Sequence, residues 1–447
     1  MATRITTKSS EPSLVKNVDI VSNKDKRQVS IVNGVIRIMY EESILRDSVK
    51  AIVTFADAGN LMNDKTVLEG LPIVGQEKVA LKFEDNNKVS LDLTLYVNTV
   101  TPLVEDTNKN LVTLNLVSKE LIMNEKVRLN TRFDGKISDH IRKILTDQNY
   151  LSTDKDVDIE ETSNTYNFIG NNRKPYYAMN WLSKKAVPNF SEAKGNTAGY
   201  FFFETSEGFK FKSIDSMLNQ EKKKSIIYNE SPDSSGEKTP SGYDLKALEY
   251  SKDNRVNVQE KLKMGAFSTR TILFDPFNCY YEVVNPNANE IERKDGIKKA
   301  GKELPVLNPE FNKEGKNKDF SRTTYYLIDR GSLPSGSTRQ QIEKSSEENF
   351  DPKNILNQSI MRYNQLFSVI TQITIPGDFS LHAGDAIFID APEVSVDTKE
   401  VSRENGGLYI IADLCHYISP KETYTKLNLV RDSFGRIGNH TKGSIPL

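Results

Sequence analysis

Residues 199–218, GYFFFETSEGFKFKSIDSML, constrain the fold more than any other stretch of this chain. Phe201, Phe203 and Thr205 alternate with Phe202 and Glu204, and after Ser206, Glu207 and Gly208 a second alternating run opens with Phe209, Phe211 and Ser213. Two short alternating runs joined through a Gly-containing turn predict a β-hairpin. Its five phenylalanines supply far more apolar surface than an isolated hairpin can bury, so it must dock on helices or on another chain. It holds no obvious catalytic group.

The length of the chain is what makes such docking possible. With 447 residues it exceeds what one core normally spans and predicts two to four domains. Sixty Lys and Arg against 61 Asp and Glu give a formal charge of -1, which leaves no global field to steer nucleic acid or an anionic membrane. Two cysteines, Cys279 and Cys415, are too few for a disulfide framework and fit a reducing cytoplasm. The polar start MATRITTKSSEPS has no apolar segment of a signal peptide, and no window approaches the length of a membrane span, so a soluble protein is expected.

Along the chain, residues 1–28 are rich in Ser, Thr, Lys and Asn and read as a flexible arm. Residues 29–130 read as a first β module. Val29–Val32, Asn33-Gly34 and Val35–Tyr40 carry the two-residue signal of a tight hairpin, and alternation continues at Val79, Leu81 and Phe83, at Val89 to Val97, and at Val112, Leu114 and Leu116. Residues 131–267 read as an α+β unit. Ile137, Ile141, Ile144 and Leu145 predict a helix over about 137–147, and Pro175 with Ala178, Leu182 and Ala186 predicts another that stops at Pro188. Trp181 and the phenylalanines are expected to form its local core. Residues 219–254 read as an exposed connection, followed by a helical patch at Gln259–Phe267. Residues 268–284 and 368–435 read as a second β module, with a polar insertion and a helix at 285–367 between its parts and a tail at 436–447. The expected class is mainly β with α+β insertions.

The helix PYYAMNWLSKKAVP followed by GYFFFETSEGFKFKSIDSML resembles the middle of the baseplate hub proteins of contractile-tailed bacteriophages. The closing run, with Gly384-Asp385, GGLYIIADLCHYISP and TYTKLNLVRDSFG, is similar to the second tube barrel shared by phage hubs and the spike proteins of type VI secretion. The resemblance covers residues 175–218 and 368–435. It implies two antiparallel β-barrel tube domains per subunit, at 29–130 and at 268–284 with 368–435. It also implies a homotrimeric ring whose six barrels match a hexameric tail tube. Its partners would be the central spike, tail tube or tube-initiator proteins and baseplate wedge proteins, with DNA passing through the lumen without specific binding and no membrane insertion. The expected place is the virion baseplate, assembled in the host cytoplasm, and with the chain ending at Leu447 the spike is expected to be a separate protein. The alternatives are the hub portion of a type VI secretion-like spike, or a hydrolase of cell wall or glycan with unidentified carboxylates.

Reactive chemistry is mostly rejected on the residues themselves. Gly296–Lys302 satisfies G-x-x-x-x-G-K, but Glu303 stands where Ser or Thr should bind Mg²⁺. Asp154, Asp156 and Asp158 resemble half a calcium loop, but Ile159 and Thr165 replace its Gly and Glu. Of the four histidines, His140, His382, His416 and His440, His416 adjoins Cys415 on a predicted strand, so the two face opposite ways and cannot easily share a metal; a core thiol beside an exposed or hydrogen-bonded imidazole is expected. Ser138, Asp139 and His140 are helix neighbours that cannot form a triad. Lys222–Lys224 and Lys298-Lys299 lack interleaved aromatics, which argues against nucleic-acid binding. No catalytic, cofactor-binding or metal-ligating residue is assigned, and no enzymatic activity or cofactor is expected.

Overall fold

The computed structural model describes residues 11–59, 65–71, 73–105, 110–189, 197–228, 242–253, 258–276, 278–285, 297–306, 308, 310, 322–329, 331, 337–346, 349, 351, 355–391 and 406–437. The first seven strands are β1 (Leu14–Val21), β2 (Gln28–Ser30), β3 (Val35–Ser43), β4 (Lys50–Asp57), β5 (Lys78–Glu84), β6 (Ser90–Glu105) and β7 (Asn110–Val117), with a short helix α1 (Val67–Gly70) before β5. They pair antiparallel in the order β3-β4-β7-β6-β5-β1-β2. Alternation decides what each strand buries. Val79, Leu81 and Phe83 of β5 enter the core beside Leu91, Leu93 and Leu95 of β6, while Lys82 of β5 and Asp92 of β6 pair across the outer face at 2.9 Å.

The middle of the chain adds α2 (Lys119–Lys126), β8 (Arg132–Phe133), α3 (Ile137–Thr146), β9 (Val157–Ile159), β10 (Phe168–Ile169), α4 (Pro175–Ser183), β11 (Tyr200–Thr205), β12 (Gly208–Ser213) and α5 (Ile214–Leu218). The apolar stripe of α3 forms one core with Ala178, Met179 and Leu182 of α4. After it come β13 (Lys224–Ile227), β14 (Leu245–Lys246), β15 (Glu249–Asp253), α6 (Val258–Met264), β16 (Thr269–Asp275), β17 (Tyr280–Val284), β18 (Gly301–Glu303), β19 (Arg322–Leu327), α7 (Thr338–Ser346) and α8 (Asn357–Leu366). The last strands are β20 (Val369–Pro376), β21 (Ala386–Asp390), β22 (Gly407–Ile418), β23 (Thr423–Arg431) and β24 (Phe434–Arg436).

Strand β22 joins the two ends of the chain. One of its edges pairs with β21 through Gly407–Ile410 and then with β3 through Asp413–Ile418, and its other edge pairs with β23. A register shift between Ile411 and Asp413 in the pairing with β23 marks the changeover. The result is one 14-stranded sheet among the described residues, and no closed barrel is formed by its pairings. The protein is mainly β with several sheets; the two expected barrels are not found as hydrogen-bonded cylinders.

Four local expectations are corrected. Residues 14–21 of the expected arm are strand β1, because pairing with β5 lets Val18 and Ile20 enter the core. Asn33 and Gly34 do not turn a hairpin: neither has the positive φ that such a turn needs, Val32–Gly34 is a 3-10 turn, and β2 pairs back onto β1. Residues 268–284 do not extend the sheet of 368–435, since β16 lies between β17 and β19 in a separate three-stranded sheet. The strands that do join it are β13, β14 and β15, from the stretch expected to be a connection.

Candidate functional site

The hairpin β11–β12 forms as the alternation predicts, with every residue from Tyr200 to Thr205 facing a partner from Ser213 to Gly208. Gly208 is obligatory at its turn: φ is +131°, and a Cβ there would lie 2.2 Å from the Asp156 carbonyl oxygen. The two faces serve different cores. Tyr200, Phe202, Phe209 and Phe211 enter the core of α3 and α4, where Phe202 and Phe209 stack at 5.7 Å. Phe201 and Phe203 enter a second core with Ile44 after β3, Ala386 of β21, Ile410 and Ala412 of β22 and Leu366 of α8. The hairpin is therefore the wall between the helical core and the large sheet.

Buried charges fasten this wall. Glu42, at the end of β3, accepts hydrogen bonds from Tyr40 Oη at 2.9 Å, from the Ser206 N–H at 2.8 Å and from the Ala383 N–H at 2.9 Å. His382 Nδ1 lies 3.4 Å from it. Burial alone would raise the Glu42 carboxyl, but His382 and the two backbone donors outweigh it and bring it down to about 2. Burial would lower the His382 imidazole, and the Glu42 carboxylate overcomes this and raises it. One charged pair thus ties the first β module, the hairpin turn and the loop before β21. At the other end, Lys155 Nζ contacts Glu120 at 2.8 Å and Glu204 at 2.5 Å, while Glu204 also accepts the Val49 N–H at 3.1 Å. Behind the hairpin the fully buried Arg362 donates to Asp432 at 3.0 Å, to Asp215 at 3.2 Å and to the Lys298 carbonyl at 3.0 Å.

His382, beside the hairpin turn, faces one hydroxyl and two carboxylates. Ser206 Oγ lies 3.2 Å from His382 Nδ1, the same nitrogen that faces Glu42, while Nε2 faces Glu207 at 3.4 Å. Glu42 shares Nδ1 with Ser206 and so cannot orient the ring for that hydroxyl, while Glu207, on the opposite nitrogen, is half-exposed and also pairs with Lys210 at 2.6 Å. The carboxylates of residues 154–160 go to separate partners: Asp154 pairs with Lys119 at 3.4 Å, Asp158 with Lys212 at 2.6 Å, and buried Glu160 accepts from Ser213. In the G-x-x-x-x-G-K run, Gly296 lies outside the described residues, and the Gly301 N–H is taken by Ser433 Oγ at 2.6 Å.

The lysines of 222–224 are engaged with Phe388, Asp385 and Asp378. His140 is buried against Phe133 and Phe168, with Nε2 2.8 Å from the Tyr166 carbonyl. His440 lies outside the described residues. Cys415 and His416 face opposite ways and the imidazole is hydrogen-bonded as expected, but it is the ring and not the thiol that is fully buried. The imidazole is in the core, 2.9 Å from Thr425 Oγ1, and the thiol is partly buried.

The fold as a whole is similar to that of solved structures. The 43 kDa tail protein of prophage MuSo2 from Shewanella oneidensis matches with a TM-score of 0.50 at 9% identity, over 93% of this chain and 98% of that one. The similar folds are those of phage tail proteins. The tail protein from Neisseria meningitidis MC58 matches with a TM-score of 0.49 at 8% identity, over 93% and 96% of the two chains. A type VI secretion component of E. coli, c3393, described as similar to the T4 tail proteins gp27 and gp5, matches with a TM-score of 0.43 at 9% identity, over 92% and 77%. No family model matches the sequence, and no curated protein matches it. The resemblance read from the hairpin and the closing strands to tail and baseplate proteins thus extends to the fold.

Sequence reasoning passed over Glu42, Asp215, Arg362 and Asp432. Two of them stood in the quoted signatures: Asp215 in SIDSML and Asp432 in the final Arg-Asp-Ser run. An acidic residue placed directly after an apolar strand was the available signal.

Proposed function

We propose that this chain is the structural, non-enzymatic hub of a contractile tail's baseplate, a homotrimeric ring that links the hexameric tail tube to the central spike and leaves a channel for DNA. The observation that carries it is the pairing of β22 with β3, which fixes the N-terminal and C-terminal strands in one sheet. A subunit offers two equivalent contacts to a sixfold tube only when its two β modules are held at a constant angle, and this pairing, locked by the hairpin and by Glu42, supplies that constancy. The tail-protein fold supports the same reading. In it residues 29–130 and 368–435 are the two tube modules, residues 131–267 bind them together, and the ring meets wedge and tube-initiator proteins in the virion after assembly in the host cytoplasm. Sedimentation of the purified chain, alone and co-expressed with the spike of the same tail, tests it. Three copies per complex are expected, and a monomer in both samples overturns it.

A further inference from the structure

Residues 297–304, which include most of the G-x-x-x-x-G-K run, lie against the turn after β23 as a strap held through its main chain. The Lys298 N–H donates to Asp215 Oδ1 at 3.3 Å, the Ala300 N–H to Asp432 Oδ1 at 3.0 Å and the Gly301 N–H to Ser433 Oγ at 2.6 Å. Arg362 donates to the Lys298 carbonyl at 3.0 Å. Gly301 and Glu303 of β18 then pair antiparallel with Arg436 and Phe434 of β24. The four side chains that receive the strap, Asp215, Arg362, Asp432 and Ser433, are fully buried. On the strap itself the buried side chains are Ala300 and Leu304, while Lys302 and Glu303 are exposed.

We propose that the groove between α5, α8 and β24 is a binding site for an extended peptide main chain, and that residues 297–304 are its reversible ligand, bound in cis. Backbone N–H and C=O groups joined to an edge strand are how a peptide docks on a sheet. The groove is also built from groups that hold one another without the strap. Arg362 reaches Asp432 at 3.0 Å and Asp215 at 3.2 Å, Thr197 donates to Asp215 from both its N–H and its hydroxyl, and Ser433 Oγ donates to Asp432. When the strap lifts, both carboxylates keep a buried counter-charge, so no naked ion is left and the acceptors stay in place. Little else ties the strap down. Among the described residues β18 and β24 form a sheet of two strands, outside the 14-stranded one, so the strap can open alone. Shape sets the class of ligand. A Cβ at position 301 would lie 2.6 Å from the Phe434 carbonyl oxygen, and Ala300 sits in the core that holds Phe201, Leu366 and Val430. The groove therefore takes an extended segment with a small residue, then Gly, then Leu three residues on. The site does not depend on whether copies of the chain associate.

The test uses the full chain and a fluorescein-labelled synthetic peptide of residues 297–305, IKKAGKELP, followed by anisotropy. Gly301→Val in the chain unseats the strap by its clash with Phe434 and leaves the groove open. That variant is expected to bind the peptide on the order of tenfold or more tighter than the wild type, whose own strap competes. The same peptide carrying Gly301→Val should not bind. A folded Gly301→Val chain that ignores the peptide, or that takes both peptides equally well, overturns the proposal. Hydrogen exchange on the wild-type chain reads the strap without any substitution and decides should the variant misfold. The amides of Ala300 and Gly301 are expected to exchange on the order of 100-fold faster than those of Leu427 and Leu429 in β23, because the strap opens without the sheet. Exchange as slow as that of β23 makes the strap part of the global core and overturns the proposal whatever the peptide does.

Discussion

At Glu42 a single carboxylate holds three segments that are far apart in sequence, which makes it the residue whose loss should be felt most widely. Glu42→Gln keeps the shape but gives the Ser206 and Ala383 donors a weaker acceptor and leaves His382 without its counter-charge. It should cost about 2–4 kcal/mol in denaturant unfolding. The pH dependence has a defined sign. The depressed Glu42 stabilises the protein fully above its unfolded pKa of about 4.5, and this is lost as pH falls through about 2. The raised His382 stabilises fully below about 6.5, and this is lost as pH rises through its folded value.

His416 works in the opposite sense. It packs against Tyr40 and Phe379 and feels Glu42, Asp378 and His382, and burial lowers its imidazole to about 4. Between about 6.5 and 4 the unfolded chain takes up a proton that the folded one refuses, so stability falls with acidification, by about 3 kcal/mol at most. His416→Gln should flatten that slope in urea midpoints measured across this range; an unchanged slope would assign it to other groups.

Among elements, the hairpin is the one whose two faces can be tested separately. Phe203→Ala opens the core shared with Ile410 and Ala412, and Phe211→Ala opens the helical core; each should cost about 3–5 kcal/mol. Phe203→Asp with Phe211→Asp should abolish folding, and a soluble, folded double variant would refute the wedge role. This element was the most legible in the sequence because its information is local: alternation, a turn glycine and one unbroken run from Tyr200 to Ser213. Helices α3 and α4 were legible for the same reason, through an apolar stripe and Pro175. What was hidden depends on distant partners. Strand β1 looks like a polar arm until β5 covers Val18 and Ile20, and β13 to β15 are too short to declare themselves without β21 and β20. The Glu42–His382 pair spans 340 residues and leaves no pattern in either neighbourhood.

On the scale of the whole molecule, the described sheet makes its two ends interdependent. If β22 and β3 are one structural unit, calorimetry should show both ends melting in a single transition, and separate transitions would mean the modules are only tethered. Arg362 should matter at this scale too, because it gathers α5, α8, the 298 carbonyl and the turn after β23. Arg362→Ala strands two buried carboxylates and should cost about 3–5 kcal/mol, with earlier cleavage near residues 297–303 in limited proteolysis.

The long strand β22 also has a mechanical meaning. Ladder hydrogen bonds run across the strands, so a pull along the length of β22 shears its bonds to β21, β3 and β23 together, whereas a pull at the free edge of β2 opens that ladder one rung at a time. A load applied lengthwise is therefore shared over many bonds at once, and one applied at the edge unzips. The protein should be stiff in one direction and yielding in another.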